Sequence, residues 1–491
     1  MTEKVRTRFA PSPTGLPHVG NIRTAMFAWL MAKHFGGSFV LRIEDTDVAR
    51  TVPGAMETIM DGLCWLGLDW DEGPGKGGDV GPYLQSERLG LYQAAAERLV
   101  AQGDAYYCYC TPERLTEMRT AQVAHKQPPG YDRRCRHLTE EQRAELAKSG
   151  VTPVVRFAIP REGKTEFTDL IYGDLSFENA NIDDFVILKS DGYPTYHLAS
   201  VADDSAMQIS HVIRAEEWIS STPRHLMIYR ALGLTPPKFI HHPMILGPDK
   251  AKLSKRHGSV SILEYREMGY LPETMFNFLA LIGWSLDDKT ELMTCEEMIR
   301  FFSLDRIGKT GAVFNRDKLD WMNGVYIRGL SVAELTERAL PFLEKGLPQS
   351  IPRPLDRAEI EGMIPLVQER AKTLVELPEL IDFFFGDEVE YETPLLIVKK
   401  MEKASALAAL TATLAAVEPQ TEFTEESLEP VMRVLAETLQ IKTGQLFGTV
   451  RVAVTGKTAT PPLFETMVVL GREKCLRRLK AAIAKLEAYS G

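Results

Sequence analysis

The pattern of apolar and polar residues along the first 110 positions predicts an α/β fold. Val5 to Ala10 form a predicted strand that ends at the breaker-rich segment Pro11-Ser12-Pro13-Thr14-Gly15. Apolar residues then recur at helical spacing from Ile22 to Leu30, and this predicted helix ends at Gly36-Gly37. Ser38 to Ile43 form a second predicted strand. Strand, helix and strand in this order favour a parallel sheet with right-handed crossovers.

The pattern changes further along the chain. Residues 111–190 combine a charged helix, a Pro-rich linker and short strands, and the α/β pattern returns over residues 193–256. Helical patterns dominate from about residue 330, with a predicted capping box at Ser331 to Glu334 and a predicted helix start at Thr460-Pro461. An apolar stripe follows that start at Leu476, Leu479, Ile483 and Leu486. The simplest organisation is an α/β domain with an insert, followed by a helical region.

Composition and charge narrow the class of protein only slightly. A length of 491 residues suggests about three or four domains, and 44% hydrophobic with 25% charged residues is ordinary globular usage. The net charge of −10 argues against a surface that binds nucleic acid everywhere, although it is compatible with a local basic face. Met1 to Arg6 lack an apolar signal core, and the apolar run Met275 to Trp284 is too short to span a bilayer. We therefore expect a cytoplasmic protein without membrane contact.

A candidate phosphate-binding turn lies where the first strand meets the first helix. The turn reads His18-Val19-Gly20-Asn21. A helix N-terminus offers unpaired N–H groups and partial positive charge to phosphate. Gly20 permits close approach of a ligand, and His18 and Asn21 can donate hydrogen bonds. For this turn alone, a plain strand–helix connection with an incidental histidine is an equally good interpretation.

A second candidate segment is a cationic loop with the sequence Lys252-Leu253-Ser254-Lys255-Arg256. Glycine and proline flank this loop, so it could close on a polyphosphate and stabilise the charge of departing pyrophosphate. Lys252, Ser254 and Lys255 are its candidate catalytic residues. Taken alone, such a run is more often a solvated surface segment.

Together the turn and the loop resemble the paired signatures of class I aminoacyl-tRNA synthetases, His-Ile-Gly-His and Lys-Met-Ser-Lys-Ser. The departures at Asn21, Leu253 and Arg256 are typical of the glutamyl branch. Four further segments are similar to the glutamyl and glutaminyl subgroup: Arg8 to Gly15, Arg42 to Asp47, Gly192 to Ala199 and Ile213 to Trp218. The resemblance runs through most of residues 5–260 and continues more thinly to the C-terminus.

The resemblance implies an α/β fold with a Rossmann-like class I catalytic domain, an acceptor-binding insert and an all-α anticodon-binding region. The expected catalytic halves are residues 1–110 and 191–260, with the insert at 111–190. A domain that contacts the tRNA stem is expected at 261–328 and the helical region at 329–491. Basic residues near the end could contact RNA phosphates or form a solvated helix face: Arg472, Lys474, Arg477, Arg478 and Lys480.

The implied activity is ATP-dependent activation of L-glutamate to glutamyl-adenylate and its transfer to the 3′-terminal ribose of tRNA(Glu). ATP is then a substrate, Mg²⁺ the catalytic ion, and the protein an expected monomer. Charging of glutamine tRNA as well stays open. Two alternatives are a small-molecule nucleotidylyltransferase that shares the turn and a silent tRNA-binding relative. The residues implied to bind ATP are His18, Gly20, Asn21, Lys252 and Lys255.

The resemblance also implies a pocket for glutamate, with cationic groups for two carboxylates and an anionic group for the ammonium. Arg8 is implied to bind the α-carboxylate, Glu44 the ammonium and Arg214 the side-chain carboxylate. An arginine fork binds a carboxylate with two hydrogen bonds, which a neutral amide cannot reciprocate. The alternative for Arg214 is a structural ion pair with Glu216 or Glu217. The complete implied pocket is Arg8, Ala10, Ser12, Glu44, Tyr196, Ser200 and Arg214.

Two short motifs, one just before residue 111 and one within residues 111–190, form a candidate metal site. Cys108-Tyr109-Cys110 and Cys135-Arg136-His137 are separated by residues 111 to 134. Three thiolates and one imidazole are a usual ligand set of a closed structural zinc site. The pattern resembles the zinc element of some bacterial glutamyl enzymes. We expect one structural Zn²⁺ held by these three cysteines and His137, with free thiols as the alternative.

Overall fold

The computed structural model describes residues 4–148 and 150–490, which divide into two units. The first unit runs up to Tyr265 and includes Pro272–Arg316. The second consists of Arg266–Leu271 and the chain from Asp317 onward. Within the described ranges, no helix has both the length and the apolar character needed to cross a membrane.

The strands are short and are numbered in chain order. They are β1 Arg6–Phe9, β2 Ser38–Leu41, β3 Ala105–Cys108, β4 Val154–Phe157, β5 Lys164–Asp169, β6 Gly173–Glu178, β7 Val186–Leu188, β8 His211–Ala215, β9 Lys238–His242, β10 Ile245–Leu246 and β11 Ala312–Val313.

The helices are likewise numbered in chain order. They are α1 Val19–His34, α2 Ala55–Trp65, α3 Leu89–Gln102, α4 Pro112–Ala124, α5 Glu140–Lys148, α6 Tyr196–Ala206, α7 Thr222–Ala231, α8 Ile262–Glu267, α9 Pro272–Leu281, α10 Cys295–Phe301, α11 Arg316–Gly329, α12 Val332–Gly346, α13 Arg357–Val367, α14 Leu377–Ile381, α15 Lys403–Val417, α16 Glu425–Thr438, α17 Thr443–Thr455, α18 Leu463–Leu470 and α19 Arg472–Ala488.

Parallel strand pairs form the frame of the first unit. β1 pairs with β2, β8 pairs with β9, and β9 pairs with β5, to which β6 adds an antiparallel edge. The start of β1 lies beside β8, because the Ser210 N–H donates to the Arg6 carbonyl over 3.0 Å. The predicted succession of strand, helix and strand is confirmed by β1, α1 and β2. In such sheets ligands bind beyond the carboxyl ends of the strands.

A second, antiparallel sheet has β4 between β3 and β7, of which β4 and β7 fall within residues 111–190. A small apolar cluster caps one end of this sheet and contains Tyr106, Cys108, Tyr131 and Cys135. The predicted α/β class is confirmed, whereas the separate insert stays a prediction, because β5 within residues 111–190 pairs with β9 of the first unit. The predicted domain boundaries stay predictions.

The described elements of the second unit from α12 to α19 are all helical, as predicted. The capping box at the start of α12 is confirmed, because Ser331 Oγ accepts from the Glu334 N–H over 3.3 Å and a Glu334 oxygen accepts from the Ser331 N–H over 3.0 Å. The helix start predicted at Thr460-Pro461 is wrong, since α18 begins at Leu463. Gly471, with φ +82°, ends α18, so the predicted apolar stripe belongs to the separate helix α19.

A buried arginine on α19 ties the second unit together. Arg478 is 2% exposed. Its Nη2 donates to the carbonyls of Phe383 and Gly386 over 2.7 and 2.6 Å, and its Nη1 donates to the Val454 carbonyl. Its Nε donates to the Asp387 carbonyl over 3.3 Å. Arg478 therefore satisfies backbone acceptors from two segments that are distant in sequence, and it is not part of a solvated face.

The other basic residues of α19 also have protein partners. Lys474 donates to the Phe384 carbonyl over 2.7 Å, and Arg472 donates to the carbonyl of Glu418. Arg477 pairs with Asp387, and Lys480 pairs with Glu418, in both cases at the surface. The sequence predicted either contacts with RNA phosphates or a solvated helix face. Neither describes this helix fully, because its cations contribute to intramolecular contacts.

Replacing Arg478 with methionine should destabilise the second unit by about 2–4 kcal/mol, because buried carbonyls would lose charged donors. Urea unfolding followed by circular dichroism measures this change. Arg477→Met is the matched control, since its exposed ion pair contributes little, and we expect a change within about 0.5 kcal/mol. Equal losses for the two variants would contradict the structural role of Arg478.

Candidate active site

A cleft of about 570 Å³ opens beyond the carboxyl ends of β1, β2 and β8. Parallel pairing explains its position, because segments that follow adjacent parallel strands emerge at the same edge of the sheet. The structure brings seven predicted site residues to its wall: Arg8, Ala10, Ser12, Asn21, Glu44, Tyr196 and Arg214.

Two arginines share one buried carboxylate at the floor of the cleft. Arg8 Nε and Nη2 lie 3.1 and 3.3 Å from the two oxygens of Asp204, and Arg42 Nη1 lies 2.8 Å from Asp204 Oδ1. Arg42 Nη2 also donates to Glu44 over 3.2 Å. Burial opposes ionisation of Asp204, yet Arg8 and Arg42 hold its pKa below the usual value. Two positive and two negative groups therefore balance here.

A second buried carboxylate lies beside the first. Asp203 accepts from Arg88 Nε over 2.6 Å, from Gln85 Nε2 over 2.8 Å and from the Tyr92 hydroxyl over 2.9 Å. Arg42 Nε lies 3.6 Å from the same carboxylate. These contacts hold the start of α3 and the end of α6 against β2, so they fix the backbone that carries the cleft.

Arg214 differs from the other cleft arginines, because its partners are neutral. It is 5% exposed and donates from Nη1 to the Tyr196 hydroxyl over 2.9 Å, from Nη2 to Thr222 Oγ1 over 2.7 Å and from Nε to His241 Nε2 over 2.9 Å. Across residues 4–148 and 150–490 it forms no ion pair. The alternative of a pair with Glu216 or Glu217 is therefore wrong.

The two neighbouring glutamates are engaged elsewhere. Glu216 accepts from the Tyr172 hydroxyl over 2.6 Å and from the Met244 N–H over 2.9 Å. Glu217 pairs with Lys252. Arg214 thus presents a buried positive charge to the cleft without a protein carboxylate to balance it.

The predicted phosphate-binding turn forms the N-terminus of α1. His18 is the N-cap residue, and its Nδ1 accepts from the Gly20 N–H over 2.9 Å. The other ring nitrogen, Nε2, is therefore the one available for a ligand. A β-carbon added at Gly20 would lie 3.2 Å from His18 Nδ1, so a larger residue would displace the ring. Asn21 is exposed at the cleft wall.

The cationic loop lies close to this turn. The Val19 N–H donates to the Val260 carbonyl over 2.8 Å, and the Ile262 N–H donates to the Pro17 carbonyl over 3.1 Å. These bonds join the segment just after the loop to the turn. Burial and then the charge of Lys252 lower the pKa of His18, whereas Glu217 opposes this shift. The turn and the cationic loop, the two predicted phosphate-binding elements, therefore lie next to each other.

The loop itself holds its cations at the surface. Lys255 begins a short 3₁₀ turn, Lys255–His257, which Ser254 caps: the Ser254 N–H and His257 Nδ1 lie 3.1 Å apart. Lys252 is 58% exposed and pairs with Glu217. The side chains of Lys252 and Lys255 are both exposed, so they are free to turn towards a ligand.

The candidate metal site gathers three of its four predicted ligands. The sulfur atoms of Cys108, Cys110 and Cys135 all lie within 4.8 Å of one another. The Tyr131 hydroxyl lies 3.3 Å from the Cys108 sulfur and 3.5 Å from the Cys110 sulfur. His137 is exposed and lies outside this thiol group. Hydrogen bonds from Cys135 and Tyr131 lower the pKa of Cys108, although burial opposes this shift.

Comparisons with known proteins agree with this geometry. The family model described as tRNA synthetases class I (E and Q), catalytic domain, matches residues 4–321, and one described as anticodon binding domain matches 334–483. A curated glutamate–tRNA ligase from Dehalococcoides mccartyi strain CBDB1 is 58% identical over 486 residues, which cover 99% of this chain and 98% of that protein. The chain belongs to the glutamate–tRNA ligase family.

Other members of the glutamate–tRNA ligase family are similar over their whole length. One from Moorella thermoacetica is 49% identical over 483 residues, which cover 98% of each chain. The crystal structure of a glutamate tRNA ligase from Elizabethkingia meningosepticum, in complex with its amino acid, superposes with a TM-score of 0.88 at 34% identity. That superposition covers 99% of this chain and 100% of the other. The predicted family and fold class are confirmed.

In this glutamate–tRNA ligase family member, the structure places one predicted pocket residue away from the wall. Ser200 is 1% exposed, and its hydroxyl lies 3.5 Å from Asp204 Oδ2 behind the cleft. Sequence reasoning also missed Asp204, Asp203 and His241, which support the cleft arginines from behind. Asp203 and Asp204 are adjacent on α6, and this pair could have indicated buried partners for the arginines, because carboxylates are rarely buried without partners.

The contact between the turn and the cationic loop of this family member is testable through His18. Its pKa is lowered partly by Lys252, so removing that positive charge with Lys252→Ala should raise the pKa of His18. Glu217→Gln should lower it further, because a charge that favours imidazolium is lost. Titration of the histidine Cε1 protons by NMR measures both shifts.

Lys255→Ala is the matched control for this titration, because Lys255 is not among the groups that shift the pKa of His18. An unchanged pKa in Lys252→Ala would show that the loop does not approach the turn in solution.

Proposed function

We propose that the chain is a glutamate–tRNA ligase that activates L-glutamate with ATP and transfers it to the 3′-terminal ribose of tRNA(Glu). The observation that carries this proposal is Arg214, a buried guanidinium at the cleft wall whose protein partners are all neutral. A buried charge of this kind is costly unless a ligand pairs with it. The side-chain carboxylate of glutamate supplies that pairing.

The same argument explains discrimination against glutamine. Arg214 donates through Nη1 to Tyr196 and through Nη2 to Thr222, so its terminal nitrogens are oriented before a ligand arrives. An oriented fork forms charge-assisted bonds with a carboxylate, which are about twice as strong as bonds between neutral groups. The amide of glutamine carries no charge and offers only one acceptor oxygen. The pocket therefore favours glutamate by charge and by hydrogen bonding.

The α-carboxylate and the ammonium of the amino acid are assigned to the charged groups at the floor of the cleft. Arg8 is directed by Asp204, and we assign it to the α-carboxylate. Glu44 is assigned to the ammonium, together with Ser12 and the Ala10 carbonyl at the same wall. Burial raises the pKa of Glu44, while Arg42 and Arg8 oppose the rise. Because this carboxylate must be ionised to hold an ammonium, the two arginines serve the proposed contact as well as the fold.

Activation is proposed to occur between this pocket and the turn with its loop. His18 and Asn21 bind phosphate oxygens at the N-terminus of α1, where backbone N–H groups also point outward. Lys252 and Lys255 stabilise the charge that develops as pyrophosphate leaves, and a bound Mg²⁺ would supply further positive charge for the phosphates of ATP. The glutamate α-carboxylate attacks the α-phosphorus without a nucleophile from the protein, so catalysis rests on position and charge.

We propose that tRNA contacts the insert and the second unit, within the domain boundaries of the sequence analysis. The match of the anticodon binding domain to residues 334–483 supports the helical region as the anticodon reader. The intramolecular partners of the α19 cations argue that other surfaces supply most of the phosphate contacts. A monomer and a cytoplasmic location complete the proposal.

We further propose that the thiol group binds one structural Zn²⁺. In a tetrahedral site with Zn–S bonds of about 2.3 Å, the sulfur atoms lie about 3.8 Å apart, and Cys110 and Cys135 already lie at 3.6 Å. The donor set of three thiols fits zinc. His137 is the predicted fourth ligand, and the Tyr131 hydroxyl, which lies within hydrogen-bond distance of two of the sulfurs, is the alternative to be tested.

Charging assays with labelled glutamate and ATP test the proposed activity on separately purified glutamate and glutamine tRNAs. We expect product on glutamate tRNA. Product on both tRNAs would add glutamine tRNA to the substrates and imply an amidotransferase downstream. Product on neither, with active controls, would overturn the proposal and favour a silent tRNA-binding relative.

The same charging assay tests the role of Arg214 in binding glutamate. Arg214→Gln should lower kcat/KM for glutamate by about 10²–10³-fold, because a charge-assisted pair is lost from a buried site. Arg230→Gln, an exposed arginine on α7, is the matched control and should change kcat/KM by less than about twofold. A small effect of Arg214→Gln would assign the side-chain carboxylate to another residue.

Zinc is tested by elemental analysis of the purified protein, with about one zinc per chain expected. Cys108→Ser and Cys135→Ser should each lower that content strongly. Tyr131→Phe and His137→Ala then identify the fourth ligand, because only the variant that removes it should weaken zinc retention against a chelator. Well under one zinc per chain in the unmodified protein would contradict the site.

A further inference from the structure

We propose that Asp169 and His241 are positioning residues for Arg214, and that the pair orients the guanidinium towards the side-chain carboxylate without neutralising it. The inference rests on the proposed function, in which Arg214 binds that carboxylate. Neither Asp169 nor His241 lines the cleft, and neither would touch the substrate.

Three adjacent parallel strands bring the groups together. Arg214 on β8 and His241 on β9 are register partners, and Asp169 ends β5 on the far side of β9. His241 Nδ1 lies 2.6 Å from Asp169 Oδ2, and Arg214 Nε lies 2.9 Å from His241 Nε2. Both His241 and Asp169 are at most 1% exposed. The result is a buried chain of two hydrogen bonds that leads from a carboxylate to the arginine.

The donors and acceptors in this chain determine the state of the histidine. Arg214 Nε carries a hydrogen and can only donate, so His241 Nε2 must present its lone pair. Nδ1 then carries the hydrogen and donates to Asp169. A protonated His241 would direct an N–H at the Nε–H of Arg214, so the geometry requires the neutral ring.

The charged groups around His241 favour the same state. Burial is the main cause that lowers the pKa of His241, and the positive charges of Arg214 and Arg8 lower it further, whereas Asp169 opposes the shift. Phe239 lies beside the ring, with centroids 6.3 Å apart at 14°. His241 is therefore a neutral acceptor for Arg214.

Asp169 is itself rigidly held. Its Oδ1 accepts from the N–H groups of Ile171 and Tyr172, each over 2.9 Å, and its Oδ2 accepts from the His241 N–H over 3.1 Å. The carboxylate has no freedom to rotate while these bonds persist. It fixes the ring of His241, and the ring in turn fixes the Nε end of Arg214.

The choice of a neutral acceptor has a direct consequence for specificity. A carboxylate at the position of His241 would pair with Arg214 and compete with the substrate. An apolar residue would leave a buried N–H without an acceptor and would allow the guanidinium to rotate. A neutral histidine satisfies Nε, so Nη1 and Nη2 stay with Tyr196 and Thr222 and face the cleft.

Two amide variants of His241 distinguish the orientation of Arg214 from the mere presence of a side chain beside it. The oxygen of His241→Gln can reach the position of Nε2 and accept from Arg214, whereas the shorter His241→Asn reaches only the position of Nδ1. Steady-state charging assays should give His241→Asn a KM for glutamate about 10–100-fold higher. Its KM for ATP and its kcat at saturating glutamate should stay within about threefold. His241→Gln should keep its KM for glutamate within about fivefold.

His211→Asn, at the start of β8 and away from the cleft, is the matched control and should leave the KM for glutamate within about twofold. Thermal melting of each variant monitors folding. Equal KM values for glutamate in the Asn and Gln variants, or equal losses towards glutamate and ATP, would overturn the inference. Failure of the unmodified protein to charge tRNA with glutamate would instead overturn the proposed function.

Discussion

The balance of buried charge beneath the cleft is the constraint on which the rest of the site depends. Asp204 is shared between Arg8 and Arg42, and Arg42 also contacts Glu44. These groups neutralise one another in a buried region, where an unpaired charge would cost several kcal/mol. Against this neutral background Arg214 keeps its charge. The cleft therefore has a net positive end suited to a second carboxylate, although the protein as a whole carries a net charge of −10.

Parallel strand pairing makes this balance achievable. β1, β2, β8 and β9 bring side chains from distant parts of the chain to one edge, and the buried carboxylates of α6 meet them there. The loop after β10 reaches the same edge, because backbone hydrogen bonds join the segments around His18 and Val260. The sheet thus places the candidate amino-acid pocket and the candidate phosphate site side by side.

Elsewhere in the molecule, basic residues serve the fold. Arg478 satisfies backbone carbonyls of two segments in the second unit, and Arg23 donates to the carbonyl of Ile282 over 2.6 Å in the first. A guanidinium suits this work because its planar N–H groups can bind several carbonyls at once. A count of lysines and arginines along a helix therefore overstates the surface available to RNA, as α19 shows.

The sequence by itself determined the fold class and the family and predicted seven of the residues that line the cleft, because hydrophobic periodicity and short motifs are local properties. It also identified Cys108, Cys110 and Cys135 as one group. The tertiary structure alone decided that Arg214 lacks an acidic partner, that Ser200 lies behind the wall and that His241 supports Arg214. Hydrogen-bond partners and burial arise between strands distant in sequence, and spacing along the chain carries no record of which side chains meet.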